Sequence, residues 1–212
     1  MALVIAVDGP AASGKGTIAR ALARHFGVPH LDTGALYRAV ALAALRSGVS
    51  LDDEVRLGKL AETVDSLLLA DPALRDGTTA SAASRVSALH AVRESLLAYQ
   101  QEFAAQPGGA VLDGRDIGTV IAPRAPAKLF VTADPHIRAR RRFLELGAGG
   151  QKLTEAGILG DILARDARDS GRLEAPLRQA DDADLLDTSE LDIGAAVQRA
   201  VDLVSRRVNR TL

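Results

Sequence analysis

The run Leu3-Val4-Ile5-Ala6-Val7, followed at once by Asp8-Gly9-Pro10-Ala11-Ala12-Ser13-Gly14-Lys15-Gly16-Thr17, constrains this chain more than any other part of it. Five consecutive apolar residues predict a strand buried on both faces, as the central strand of a parallel sheet must be. A helix predicted from about Gly14 to Phe26, with Ile18, Leu22 and Phe26 sharing a face, then turns its positive end toward the intervening loop. Glycines are needed there because side chains would collide with a bound anion or forbid the backbone angles. The backbone of Gly9, Pro10 (which stiffens the turn and has no N–H), Ala11, Ala12, Ser13, Gly14, Lys15, Gly16 and Thr17 forms the expected cradle for nucleoside triphosphate phosphates, with N–H groups pointing inward and Lys15 reaching the outer phosphates. The usual pattern places a hydroxyl directly after the lysine. Here Gly16 intervenes and Thr17 supplies it, a departure from the general pattern; Thr17 is the candidate ligand for Mg2+.

Short apolar runs alternate with stretches of helical period along the rest of the chain, which predicts an α/β fold with a parallel sheet covered by helices. Strands are expected at His30 to Asp32, Ala110 to Asp113, Lys128 to Thr132 and within "ADLLDTS". Helices are expected from Asp32 or Thr33 to Gly48, from Leu51 to Leu69, from about Ala82 to Ala105, from Pro135, from about Glu155 to Asp169, and at the C-terminal end. With 212 residues, one domain is expected. Lys and Arg total 26 against 27 Asp and Glu, so no general positive field attracts nucleic acid or an anionic membrane. The absence of cysteine removes thiol chemistry, and no window reaches the roughly 18 apolar residues of a membrane helix. A cytoplasmic monomer without nucleic-acid or membrane partners is the expectation. Aromatics are only 3%, so a nucleobase would be read by hydrogen bonds more than by stacking. The four histidines lack metal-ligand spacing and read as structural or surface residues.

A kinase must also neutralise its second anionic substrate, and three arginine-bearing segments could do so. In "LDTGALYR", Thr33 stands at a predicted helix start with Arg38 beyond it. In "VLDGRDIGT", Asp113, Arg115 and Asp116 follow a strand, at the sheet edge where open α/β folds bind ligands. In "ARDARDSGR", Arg165, Asp169 and Arg172 lie at a helix end, where a simple i,i+4 ion pair is the plain alternative for Arg165 and Asp169.

Taken in order, "GPAASGKGT", "LDTGALYRAVAL", "ASRVSALHAVRESLL", "LDGRDIGTVIAP", "RDARDSGR" and "LLDTSELDI" resemble the bacterial cytidylate kinases over nearly the whole chain. The resemblance implies a P-loop kinase fold: a five-stranded parallel sheet flanked by helices, with a monophosphate-binding insert and a mobile lid. It implies a single domain over 1–212, with a core of 1–47, 106–146 and 181–212, an insert at about 48–105 and a lid at about 147–180. It also implies ATP- and Mg2+-dependent phosphoryl transfer to CMP and dCMP, small molecules being the partners. Lys15, Arg115, Arg165 and Arg172 would act on the transferring group. Thr33, Arg38, Arg115 and Arg172 would bind the CMP phosphate, Ser84, Arg93 and Asp116 the cytosine edge, and Arg165 and Asp169 the sugar; Asp113 belongs to the same substrate-binding set.

The chemistry of cytosine suits this set. A carboxylate at Asp116 accepts a hydrogen bond from the exocyclic amine and is left unsatisfied by the O4 of uracil, worth about 1–3 kcal/mol per mismatched contact. The acceptor phosphate is already ionised at neutral pH, so transfer needs positioning and charge neutralisation and no general base. Bringing Arg165 and Arg172 to the site implies lid closure, with Gly147, Gly149 and Gly150 as hinge candidates. The family generally carries a small β-hairpin and an "IRTPEV"-like segment in the insert. Here "LLLADPALRDGTTASAASRVS" takes that place, which implies a shortened insert. Another small-molecule kinase, for UMP, AMP or shikimate, is the alternative. A GTP-binding switch needs an Asn-Lys-x-Asp reader, and the one asparagine, Asn209, lies in the terminal helix. A non-catalytic ATP-binding protein would have no use for Lys15 together with three arginine clusters.

Overall fold

In the computed structural model, which describes residues 2–64, 66–147 and 154–209, the five strands form one sheet. They are β1 (Val4–Asp8), β2 (His30–Asp32), β3 (Ala110–Gly114), β4 (Ala127–Thr132) and β5 (Asp184–Asp187), in the spatial order β2-β3-β1-β4-β5. The pairs β1/β3, β1/β4 and β4/β5 are parallel. The chain packs as two compact units, one of Met1–Leu31 with Ala105–Leu212, the other of Asp32–Ala104.

The first unit holds the central strands. Ile5, Ala6 and Val7 are fully buried, as the uninterrupted apolar run predicted. On one face Ile5 and Val7 pack with Val111, Leu129, Val131 and Leu186 against Ile18, Ala19 and Leu22 of α1 (Lys15–Phe26) and Ala200 and Val204 of α8 (Ile193–Asn209). Both helices present an apolar stripe at helical spacing to a pleated, branched surface, so the contact is continuous. Register then places the site: Asp8 pairs with Gly114 and with Phe130, so the loops leaving β1 and β3 start level with each other at the carboxyl edge. Two further helices, α6 (Pro135–Gly147) and α7 (Glu155–Ser170), share an apolar cluster of Ala139, Ile158 and Ile162. Of the predicted hinge glycines, Gly149 and Gly150 lie outside the described residues, and Gly147 ends α6.

The second unit is helical: α2 (Thr33–Ser47), α3 (Glu54–Glu62), α4 (Gly77–Val86) and α5 (His90–Ala105). Helix α2 begins at Asp32, whose Oδ1 accepts from the Ala35 N–H at 3.1 Å, and stops at Gly48, as predicted. Two sequence expectations are corrected here. The helix expected over Leu51 to Leu69 ends at Glu62, and two short 3₁₀ segments, Ser66–Ala70 and Pro72–Arg75, replace its second half. Leu68, Leu69 and Ala73 pack against Ala39, Leu42 and Leu74, a use of consecutive leucines that one stripe of an α-helix does not allow. The helix expected over Ala82 to Ala105 is two helices, broken at Ser87 to Leu89, and the first starts earlier, at Gly77. Among the described residues of this unit after Asp32 there is no strand.

Candidate active site

The loop after β1 is shaped by its glycines. Gly9 has φ +152° and lies so close to β4 that a Cβ would stand 2.0 Å from the Val131 carbonyl oxygen, so only glycine fits. Ala12 takes a left-handed φ of 59°, uncommon for a residue with a Cβ. Gly14 (φ +87°) precedes Lys15, the first residue of α1, and its carbonyl accepts from the N–H groups of Thr17 and Ile18. The chain therefore turns into the helix where the helix dipole is positive, as a phosphate cradle requires. Ser13 is fully buried and its Oγ has no hydrogen-bond partner. The hydroxyl of Thr17 is exposed and accepts from Arg20 Nη2 at 3.4 Å.

Side chains outside the loop hold it, and sequence reasoning passed over them. Arg138 of α6, almost fully buried, donates from Nη1 to the Ala11 carbonyl at 3.1 Å and from Nε to the Ala133 carbonyl at 2.9 Å. The same guanidinium grips Asp166 of α7 with both terminal nitrogens, at 3.2 and 2.6 Å. Thr188 Oγ1, beyond β5, donates to the Ser13 carbonyl at 3.1 Å, and Arg141 donates to Thr188 at its hydroxyl (3.0 Å) and carbonyl (2.6 Å). Arg138 and Arg141 are three apart on α6 and so share a face. That spacing inside "HIRARRRF", within the helix expected from Pro135, is the signal the sequence offers.

Next to this loop, at the end of β3, lie Asp113, Arg115 and Asp116. Asp113 Oδ1 is joined to His30 Nε2 at 2.7 Å, which makes that histidine a structural partner of the site. Asp113 Oδ2 would stand 3.6 Å from a Cβ at residue 16, so its carboxylate faces the start of α1. Asp116 is buried and introduces a wide, π-type turn over Ile117–Ile121. Asp8, at the end of β1, accepts the backbone N–H groups of Ile117 (2.8 Å) and Gly118 (2.7 Å). Burial pushes the Asp8 carboxyl up to about 7, with the nearby Asp116 charge adding to the rise while the two N–H bonds and Arg115 oppose it.

The third predicted segment joins the second. Asp169 is 1% exposed and gathers the arginines: Arg115 Nε donates at 2.7 Å, Arg172 Nη2 at 2.5 Å, and Arg165 Nε lies at 3.9 Å. Burial raises the Asp169 carboxyl, but the charges of Arg115, Arg172 and Arg165 outweigh it and hold it below the usual carboxylate range. The i,i+4 pair of Arg165 and Asp169 is thus one contact in a three-guanidinium cluster, with Asp169 as hub.

The remaining predicted residues belong to the helical unit. Arg38 donates from Nη2 to Asp32 Oδ2 at 2.8 Å and folds back over the start of α2, where Thr33 is buried. Arg93 of α5 is buried, donates to the Ser87 carbonyl (3.3 Å) and the Tyr37 hydroxyl (3.4 Å), and stands over the Tyr37 ring. Ser84 is buried on α4, one turn before Ser87, whose Oγ donates to the Ser84 carbonyl at 3.2 Å. Thr33, Arg38, Ser84 and Arg93 are therefore placed within one unit, and the phosphate loop, Asp113, Arg115, Asp116, Arg165, Asp169 and Arg172 within the other.

A family model described as cytidylate kinase matches residues 5–206. The chain belongs to the cytidylate kinase family. It is 58% identical over 202 residues to a cytidylate kinase of Bradyrhizobium sp. (strain ORS 278), covering 95% of each chain. It is 57% identical to a cytidylate kinase of Rhodopseudomonas palustris (strain BisB18), again over 95% of both. A solved gluconokinase from Sinorhizobium meliloti 1021 has the same fold, with a TM-score of 0.56, 16% identity, and coverage of 100% of this chain and 97% of that one. The phosphate loop and the Asp169 cluster lie in the same unit of this cytidylate kinase family member. Among the described residues no helix is long and apolar enough to cross a membrane, and no three His, Cys, Asp or Glu residues are gathered to hold a metal.

Proposed function

We propose that this protein transfers the γ-phosphoryl group of ATP to the phosphate of CMP and dCMP, giving CDP and dCDP. The observation that carries the reading is the pairing of Asp8 with Gly114. It sets the phosphate loop beside the Arg115 loop, whose guanidinium is already clustered with Arg172 on Asp169. Residues 9–17 hold the triphosphate, and Lys15 stabilises the charge that develops on the transferring group. Arg115 and Arg172 engage the CMP phosphate, as do Thr33 and Arg38. Arg165 joins Lys15, Arg115 and Arg172 around the transferring group, and with Asp169 it binds the sugar. Asp116 accepts from the cytosine amine, and Ser84 and Arg93 donate to the acceptor edge. Tyr37 adds to this set by fixing the Arg93 guanidinium.

Mg2+ fits the residues present. It favours oxygen donors and retains several waters, so one hydroxyl, Thr17, with the Asp113 carboxylate facing the same helix start, is a suitable protein contribution. When bound it neutralises phosphate charge. The acceptor oxygen is ionised, so the chain's own task is to align, shield and neutralise.

The test is ADP release with ATP and Mg2+ against CMP, dCMP, UMP, AMP, GMP and TMP. Preference for CMP and dCMP, lost on Lys15→Ala and relaxed on Asp116→Ala, supports the reading. Preference for another monophosphate, or indifference to Asp116, refutes the acceptor assignment.

A further inference from the structure

We propose that Asp8 is the positioning residue that fixes Asp116 for base selection, so that specificity for the acceptor base is set in part from the foot of the donor-phosphate loop. This rests on the reading of Asp116 given above. Asp8 touches neither nucleotide in that reading. Its side chain reaches across to the strand-β3 loop and accepts the N–H groups of Ile117 and Gly118, the two residues directly after Asp116. Asp116 has φ −142° and ψ 23°, outside helix and strand, and its carbonyl accepts from the Val120 and Ile121 N–H groups at 2.8 and 3.2 Å. The Asp116–Ile117 peptide is therefore held at both of its polar groups: the carbonyl by the turn that Asp116 introduces, and the N–H by the Asp8 carboxylate. Rotating the Asp116–Ile117 peptide to re-aim the carboxylate would break the Asp8 bond.

Two features make the grip specific to an ionisable acceptor at position 8. Two converging N–H donors need two acceptor oxygens, and an amide offers one oxygen and a competing N–H2 group. The approach also leaves no slack, because a Cβ on Gly118 would stand 3.3 Å from Asp8 Oδ2 and 3.1 Å from Lys128 Cδ. The same carboxylate belongs to the residue immediately before Gly9, so the triphosphate loop and the base-reading loop are joined by one side chain.

The experiment compares wild type, Asp8→Asn, Gly118→Ala, Asp116→Ala and the double variant Asp8→Asn/Asp116→Ala, measuring kcat/KM for CMP and UMP, KM for ATP and thermal midpoint. Asp8→Asn is expected to narrow the CMP/UMP preference between about tenfold and a hundredfold, with KM for ATP within about twofold of wild type. Gly118→Ala leaves Asp8 intact but crowds its carboxylate, and is expected to shift the preference in the same direction by less. It also carries the test if Asp8→Asn does not fold. Because Asp8 acts through Asp116, the double variant should show the preference of Asp116→Ala alone. A CMP/UMP preference unchanged in Asp8→Asn and Gly118→Ala while Asp116→Ala loses it would overturn this inference and leave the reading of Asp116 standing. An unchanged preference in Asp116→Ala would instead remove the reading, and the inference with it.

Discussion

Arg115 Nε donates to Asp169 Oδ2 at 2.7 Å, with Arg172 on the other carboxylate oxygen, so a carboxylate of the protein occupies two of the arginines proposed to grip the CMP phosphate. Asp169→Asn should expose this arrangement. Removing one partner from a buried ionic cluster costs about 3–5 kcal/mol, and an isosteric amide about the lower end of that range. The uncompensated guanidiniums should then bind inorganic phosphate, raising the thermal midpoint of the variant more than that of wild type. Equal phosphate responses would refute the competition between Asp169 and a phosphate group.

The same carboxylate has a pH signature. Its folded value is lowered, so its stabilisation is present above the unfolded value near 4 and is lost as pH falls through the folded one. Acid titration of the urea midpoint should show a steeper loss below about pH 4 in wild type than in Asp169→Asn. Superimposable acid limbs would count against the charge cluster.

Asp8 runs the other way. Its carboxyl is raised to about 7, so the folded chain retains a proton that the unfolded chain releases near pH 4. Stability attributable to this group should therefore decline as pH rises between about 4 and 7 and level off above. In Asp8→Asn that decline should disappear, which urea unfolding across the same window would detect as a flatter profile. Parallel profiles would show that Asp8 does not titrate there.

Arg138 ties the Ala11 carbonyl of the phosphate loop to Asp166 of α7 through one planar fork. Lysine keeps the charge but offers no fork. Arg138→Lys should lose about 1–3 kcal/mol of stability and raise KM for ATP more than KM for CMP. Steady-state kinetics with each substrate varied in turn decides it, and equal effects on both constants would make Arg138 a general structural residue.

Asp116→Asn exchanges an acceptor-only group for one with a donor, which suits the O4 of uracil. The CMP/UMP ratio should fall by about tenfold or more, at about 1–3 kcal/mol for a mismatched contact. A ratio unchanged in competition assays would place base selection elsewhere.

The sequence was most readable where backbone geometry restricts residue choice. Gly9 against the Val131 carbonyl, the buried run into Asp8 and the glycine stop of α2 at Gly48 each leave few alternatives, so residue order alone locates β1, the phosphate loop, α1 and α2. The helical unit was less readable at Thr63 and Ser87, where its interruptions carry no glycine or proline. The break at Ser87 turns that carbonyl toward the Arg93 guanidinium, a tertiary demand that local propensity does not register. At Thr63 the hydroxyl bonds back to the Lys59 and Leu60 carbonyls, and α3 ends there. In the site, residue types were legible and partners were not. Asp169 read as half of an i,i+4 pair because the contribution of Arg115, 54 positions away, exists only once β3 and α7 are folded. Asp8 read as the end of a strand because its partners are peptide N–H groups, which every residue other than proline carries.

The helical unit leaves the other as one unbroken stretch, Asp32–Ala104, inserted between consecutive strands β2 and β3. The level start of the Gly9 and Arg115 loops is secured by hydrogen bonding of β1 with β3, to which that stretch contributes no residue. A single contiguous segment of the gene therefore encodes Thr33, Arg38, Ser84 and Arg93 without encoding any of the donor-phosphate loop. Exchange, shortening or duplication of that segment is a route by which descent could retune acceptor recognition while the donor machinery is inherited intact.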